Sequence, residues 1–144
     1  GAGELAFHRE TIARCFSAPT VEEIMARLID PKGSSHAWAQ EVAADIRRRS
    51  PLSLKITLRH IREARGRDLR QTLGVDYRLA HRCLDGHDFY EGVRASLVDK
   101  DTHPRWPPDR LEDVTEAMLD GYFAGLGPEE LNLPTREEMQ GLRA

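Results

Sequence analysis

The residues whose types could do chemistry together lie close to one another near the end of the sequence. Lys100, Arg105 and Trp106 place two cations and an indole within a short stretch. Such a set could hold a phosphate group and stack on a flat base. The alternative is a loop lysine beside a tryptophan that packs at a joint in the chain. The sequence leaves both interpretations open.

The carboxylates and histidines form no recognised catalytic or metal-binding pattern. Asp88 and Glu91 could be an acid/base pair in a cleft, but their spacing of three favours a capping box at a helix start. The six histidines include no i, i+4 pair, and Cys15 and Cys83 lie far apart, so we predict neither a metal site nor a disulfide. Lys55 is interpreted as a solvated lysine at the edge of an apolar stripe. No catalytic residue is assigned.

Composition and charge exclude several classes of protein. The chain has 144 residues and a formal net charge of −3, so it has no global basic field for nucleic acid. No apolar run approaches the roughly 18 residues that a membrane-spanning helix needs. We expect two reduced cysteines in a cytoplasmic protein. We also expect one region over residues 1–144, in which 1–3 are typical of a cloning remnant and 125–144 form a loose tail.

The sequence predicts an all-α fold of six to seven helices, because apolar residues recur at helical spacing and no sustained alternation indicates a strand. Thr20, Ser35, Ser50 and Asp68 are predicted to cap helix starts with their side chains. Gly86 is predicted to end a helix in the left-handed conformation. The proline-rich segment 104–108 cannot form a regular helix, and a last short helix is expected over about 115–124.

Apolar residues at helical spacing mark one face of each of three predicted helices. The faces consist of Trp38, Val42 and Ile46, of Leu54, Leu58 and Ile61, and of Leu69, Leu73, Tyr77, Ala80 and Leu84. The first of these is predicted to be buried.

Several separated stretches, in a fixed order, carry a family resemblance. They are Cys15–Ser17 with Thr20–Ile24, Ser50–Arg59, Tyr77–Leu79, Gly86–Ala95, Leu97–Asp101 and Pro104–Trp106. Together they resemble the C-terminal third of the 3-hydroxyisobutyryl-CoA hydrolases, a branch of the crotonase (enoyl-CoA hydratase/isomerase) superfamily. The similarity extends from about Cys15 to about Leu126.

The resemblance implies the C-terminal helical part of a crotonase-type fold without its N-terminal ββα spiral. In that family the spiral carries the oxyanion hole and the acidic pair, and nothing in this chain matches those motifs. The helices pack over the spiral, help to close the acyl pocket and contribute to subunit contacts. Lys100 lies closest to a lysine that contacts the coenzyme A nucleotide in some members, and Arg105 is a second candidate.

The function implied by the resemblance is that of a larger enzyme. We expect hydrolysis of 3-hydroxyisobutyryl-CoA in valine breakdown, with a coenzyme A thioester as substrate and no cofactor required. The fragment itself is expected to be inactive. We expect a cytoplasmic location, or the mitochondrial matrix in a eukaryote. The alternatives are a hydratase or isomerase of the same superfamily and a stand-alone helical interaction module. Self-association through an exposed apolar face is expected.

Overall fold

The structure is a computed structural model that describes residues 3–30 and 35–141, and within these ranges every regular element is a helix. The all-α prediction is therefore confirmed. The nine α-helices of the described residues are α1 Glu4–Phe7, α2 Arg9–Phe16, α3 Val21–Ile29, α4 His36–Arg47, α5 Pro51–Ala64, α6 Leu69–Asp85, α7 His87–Val93, α8 Glu116–Phe123 and α9 Arg136–Gly141. A π-helix spans Arg94–Val98, and 3-10 turns span Leu111–Asp113 and Gly127–Glu129.

The number of helices exceeds the predicted six to seven for two local reasons. Leu5, Ile12 and Phe16 are at the spacing of one continuous helix, but His8 has φ −95° and ψ 7°, which separates α1 from α2. The segment after residue 125, expected to be loose, contains a 3-10 turn and α9. The described residues do not include Gly1 and Ala2 of the predicted cloning remnant, residues 31–34 or residues 142–144.

The chain divides into two compact units, which we call unit 1 and unit 2. Unit 1 comprises Gly1–Arg59 and Arg105–Thr115, and unit 2 comprises His60–Pro104 and Glu116–Ala144. Helix α5 contributes residues to both. None of the helices in the described ranges is long and apolar enough to cross a membrane.

Unit 1 is organised around a core to which α2, α3 and α4 contribute. Its buried apolar members are Cys15, Ala18, Val21, Ile24, Met25, Leu28, Ala39 and Ala43. Trp38, Val42 and Ile46 were predicted as the buried stripe of α4, but they are only half-buried and pack against this core. The fully buried positions of α4 are two alanines, since small side chains let α3 and α4 approach closely.

Unit 2 is organised around α6, which contacts both α7 and α8. Val75 and Leu79 of α6 and Leu119 of α8 are buried. The apolar face that the sequence predicts for α6 is exposed over much of its length. Its exposed members, which we call the α6 face, are Leu69, Leu73, Tyr77, Ala80 and Leu84. This face therefore has no cover from the described part of unit 2.

Of the helix caps predicted at Thr20, Ser35, Ser50 and Asp68, three are confirmed. Thr20 Oγ1 accepts from the amide of Glu23, and Ser50 Oγ accepts from the amide of Ser53. Asp68 forms a complete capping box with Gln71. The cap at Ser35 is wrong, because its hydroxyl forms no capping bond and lies 2.8 Å from His8 Nδ1 instead.

Candidate functional site

The strongest candidate site is the loop that follows the π-helix, residues 99–103, which we call the Lys100 loop. Lys100 has φ 54° and Thr102 has φ 59°, so two non-glycine residues occupy the left-handed region. This conformation is uncommon, and for a β-branched residue such as threonine it is an outlier that costs free energy. The loop can keep this shape only if its surroundings hold it there.

Arg94, the first residue of the π-helix, holds this loop from one side. Its Nη1 donates to Asp99 Oδ2 at 2.6 Å and to Asp101 Oδ2 at 2.7 Å. Its Nε and Nη2 donate to the two carboxylate oxygens of Glu91 at 2.9 and 2.8 Å. Nη2 also lies 3.4 Å from the carbonyl oxygen of His103. One guanidinium thus joins α7, both ends of the loop and its middle.

Backbone hydrogen bonds fold the Lys100 loop back onto the π-helix. The amide of Asp99 donates to the carbonyl of Arg94 at 2.8 Å, and the amide of Thr102 donates to the carbonyl of Ala95 at 3.1 Å. π-helical turns of this kind occur frequently at functional sites. The side chain of Lys100 is exposed at the tip of this loop.

The electrostatics of the loop follow from the same contacts. Hydrogen bonds to Glu91, Asp101 and Asp99 raise the pKa of Arg94 above its ordinary value. The hydrogen bond from Arg94 lowers the pKa of Asp101, and the backbone amide of His103 lowers it further. The carboxylates of Asp99 and Asp101, on either side of Lys100, are thus bound to Arg94, while the side chain of Lys100 is exposed to solvent. An exposed cation on a held loop can contact an anionic group such as a phosphate.

Arg105 and Trp106 belong to unit 1, whereas Lys100 belongs to unit 2. The indole Nε1 of Trp106 donates to the carbonyl of Arg48 at 3.2 Å, just after the end of α4. That bond satisfies a carbonyl that a helix end leaves without an intrahelical partner. The packing interpretation therefore accounts for Trp106. Arg105 is exposed.

The capping box that the sequence favours for Asp88 and Glu91 is wrong. Helix α7 begins at His87 with Gly86 as its N-cap, and no side chain forms a capping bond there. Asp88 is therefore inside the helix, with Oδ1 at 3.2 Å from His87 Nδ1. Glu91 receives two hydrogen bonds from Arg94. Its carboxylate binds the guanidinium that holds the Lys100 loop, and it forms no capping box.

Lys55 is not the solvated lysine that the sequence indicated. Its side chain is only 16% exposed, with Nζ at 2.8 Å from Glu22 Oε1 and donating to the carbonyl of Val114 at 3.2 Å. Burial raises the pKa of Glu22, but the hydrogen bond from Lys55 and other polar contacts outweigh burial and lower it overall. The partners of Lys55 are far away in sequence, so no local pattern indicates them. This lysine is structural.

Sequence reasoning also missed a histidine–carboxylate contact in unit 2. His60 Nε2 lies 2.6 Å from Asp76 Oδ1, and the histidine ring lies 6.4 Å from that of Phe123. Across residues 3–30 and 35–141, no group of three histidine, cysteine or acidic side chains is placed to hold a metal ion.

Comparisons with known proteins show what the chain is similar to. Residues 2–123 match the family described as enoyl-CoA hydratase/isomerase. The chain is 45% identical over 124 residues to the mitochondrial 3-hydroxyisobutyryl-CoA hydrolase of Rattus norvegicus, and 48% identical over 124 residues to that of Homo sapiens. Each alignment covers 86% of this chain but only 31% of the relative.

Solved structures give a similar result. The fold matches a crystal structure of a carnitinyl-CoA dehydratase from Mycobacterium thermoresistibile with a TM-score of 0.80 and 38% identity. It matches an enoyl-CoA hydratase from Rhodobacter sphaeroides with a TM-score of 0.78 and 34% identity. Both matches cover 92% of this chain, and 37% and 39% of the respective structures. The chain thus spans about a third of the length of the proteins that it resembles.

Proposed function

This chain belongs to the enoyl-CoA hydratase/isomerase family, and from that premise we propose that it is the C-terminal helical region of an acyl-CoA enzyme. The intact enzyme hydrolyses 3-hydroxyisobutyryl-CoA, a step of valine breakdown. The observation that carries this proposal is the high identity to 3-hydroxyisobutyryl-CoA hydrolases over most of the chain. The substrate is a coenzyme A thioester, and the reaction requires no further cofactor.

In this proposal the chain covers the acyl-CoA pocket and supplies no reacting group. Hydrolysis of a thioester needs donors that stabilise the oxyanion, which are worth about 3–4 kcal/mol for a single donor. The sequence has no motif for such donors and no acidic pair in the family's setting. Catalysis therefore resides in the part of the enzyme that this chain does not include.

Lys100 contacts a phosphate of the coenzyme A nucleotide, and Arg105 is the second candidate for that role. The support for Lys100 is its exposed ammonium on a loop whose shape Arg94 fixes. Arg105 is supported only by its position in sequence and its exposure. We place the enzyme in the mitochondrial matrix of a eukaryote, which agrees with the word mitochondrial in the names of its relatives, or in the cytoplasm of a bacterium.

Two other functions each have an observation in their favour. The structural matches include a dehydratase and a hydratase, which favours hydration or isomerisation of an enoyl-CoA. The exposed α6 face favours a stand-alone helical module that self-associates or binds a partner, since contiguous exposed apolar surface marks interaction sites. We propose that the α6 face mediates such contacts also in the intact enzyme.

The test of the proposed function is a thioester assay on two proteins, this 144-residue chain and the longer protein encoded when its reading frame is extended upstream. We expect the longer protein to release thiol from 3-hydroxyisobutyryl-CoA, and the chain alone to show no release above background. Hydration of crotonyl-CoA without thiol release would favour the hydratase alternative. A start codon near the first residue and a concentration-dependent dimer would favour the interaction module.

Replacing Lys100 with alanine in the longer protein tests the coenzyme A contact. We expect KM for the thioester to rise about two- to fivefold with kcat nearly unchanged, because an exposed ion pair contributes about 0.5–1 kcal/mol of binding. Steady-state kinetics at low ionic strength measures the change. Arg110→Ala is the control, because Arg110 is an exposed cation in the other unit. An unchanged KM for Lys100→Ala removes this residue from the site.

A further inference from the structure

The conformation of the Lys100 loop is held by more contacts than a simple connection between two helices requires. Two of its five residues are left-handed without being glycine, and its ends and middle are all bonded to one side chain. Backbone conformations of this kind persist only where the surroundings over-determine them, and they cluster at ligand-binding sites. The side chain that over-determines this loop is Arg94.

The contacts of Arg94 separate into two sets with different consequences. Glu91 lies three residues earlier on the same helical stretch, so the pair Arg94–Glu91 is a local contact that fixes the guanidinium itself. Asp99 and Asp101 lie on the loop, on either side of Lys100, so their bonds to Nη1 fix the loop. An arginine that only stabilised the helix would need the contact with Glu91, but it would not need the contacts with Asp99 and Asp101.

The same bonds decide the charge that an anion meets at Lys100. Without Arg94, the carboxylates of Asp99 and Asp101 would flank the lysine with no cation bound to them, and like charge repels an approaching phosphate. Arg94 binds one oxygen of each carboxylate and directs both toward the guanidinium. A lysine could supply the charge here, but it lacks the planar fork that holds Glu91 and the loop together.

We propose that Arg94 is a positioning residue for coenzyme A binding: its guanidinium holds the loop 99–103 in one conformation and offsets part of the negative charge of the carboxylates beside Lys100. The ammonium of Lys100 is then presented to a phosphate of the ligand without reorganisation of the loop. This inference rests on the proposed function, because it assigns Arg94 to the same contact. Arg94 itself does not touch the ligand.

The test uses the full 144-residue chain with coenzyme A as the probe. Chemical shifts of the amides of residues 99–103 report binding, and hydrogen exchange at the Thr102 amide, which is bonded to Ala95, reports the order of the loop. We expect Arg94→Lys and Arg94→Gln to weaken binding about two- to fivefold, which is no more than the loss of the Lys100 contact itself, and to speed this exchange about tenfold.

Controls separate this effect from a general loss of structure. Arg78→Gln removes an arginine of the same unit that pairs with Glu130 through a 2.7 Å bond. It is expected to leave both the affinity and the Thr102 exchange unchanged. Should the Arg94 variants fail to fold, Asp101→Ala removes a loop anchor while Glu91 keeps the guanidinium in place. Faster Thr102 exchange in that variant supports the inference, and unchanged exchange overturns it.

The outcomes distinguish this inference from the proposed function. If the amide chemical shifts of the unsubstituted chain show no saturable change with coenzyme A, the proposed Lys100 contact is refuted, and so is the proposed role of Arg94. If the unsubstituted chain binds and the Arg94 variants bind equally well, only the positioning role is overturned. Weaker binding together with faster exchange confined to the loop supports it.

Discussion

Replacing Leu28 with alanine is expected to lower the free energy of unfolding by about 3 kcal/mol, the largest effect of any single truncation that we predict. Leu28 lies on α3 and is 0% exposed, in the core shared by α2, α3 and α4. The shortened side chain removes apolar contacts and leaves a cavity that a packed core fills only in part. Urea denaturation of the full chain measures the change.

The matched control is Leu69→Ala, a substitution of the same chemistry on the α6 face. Leu69 is 75% exposed, so its truncation should change the free energy of unfolding by no more than about 0.5 kcal/mol. An effect at Leu28 as small as the one expected at Leu69 would contradict the assignment of Leu28 to the core. A large effect at Leu69 alone would mean that the α6 face is covered in solution, as self-association through it requires.

The starts of helices could be predicted from the sequence because a cap bond joins residues only three positions apart. Thr20, Ser50 and Asp68 all accept from the amide three residues later. Ser35 has the right type at the right place, but its hydroxyl interacts with His8, which is 27 residues earlier. A local rule fails where a distant residue competes for the same oxygen.

The buried face of a helix could be predicted less well, because burial depends on which element lies opposite. The period of the α6 face correctly indicates a helix, yet its exposed members include Leu69 and Leu84, while Val75 and Leu79 are buried. An amphipathic stripe indicates that another surface covers one face of the helix. It does not show which element or molecule provides that cover. The length of the relatives is consistent with a cover that lies outside this chain.

The sequence identified a residue of the candidate site, Lys100, but it did not predict the conformation of the loop or the contacts that hold it. Lys100 is identified by resemblance, but the sequence does not show its left-handed backbone. It also does not show that the guanidinium of Arg94 binds four different residues. An arginine followed by Asp99 and Asp101 is also the pattern of a solvated polar loop. Only the π-helical turn brings these side chains to one guanidinium.

Gly86 shows how the right residue can be predicted for the wrong reason. A left-handed C-terminal glycine was expected, but Gly86 has φ −91° and ψ 172°, which any residue can adopt. Its small size is what the fold needs. A Cβ placed there would lie 2.8 Å from the Tyr122 hydroxyl and 3.3 Å from the carbonyl of Arg82. Burial raises the pKa of Tyr122, and the nearby Cys83 and Asp88 raise it further, as expected for a hydroxyl packed against the α6–α7 junction.

Gly86→Ala is therefore expected to lower the free energy of unfolding by about 1–3 kcal/mol through overpacking. Gly74→Ala is the matched control, because Gly74 lies inside α6 with nothing within 4 Å of the added carbon. It should stabilise the chain by about 0.5–1 kcal/mol, since alanine is the better helix former. Urea denaturation measures both changes in the free energy of unfolding. Changes of opposite sign for the same substitution would show that close packing dominates at Gly86 and helix propensity at Gly74.

The double variant Gly86→Ala with Tyr122→Phe then identifies the atom responsible. Removing the hydroxyl takes away the contact at 2.8 Å and leaves the one with the Arg82 carbonyl at 3.3 Å. In a double-mutant cycle, we expect Tyr122→Phe to recover most of the loss caused by the alanine, because residues in direct contact are energetically coupled. Additive effects would place the strain at the Arg82 carbonyl instead. Gly86 would then be required by the turn from α6 into α7 and not by the packing of α8 against it.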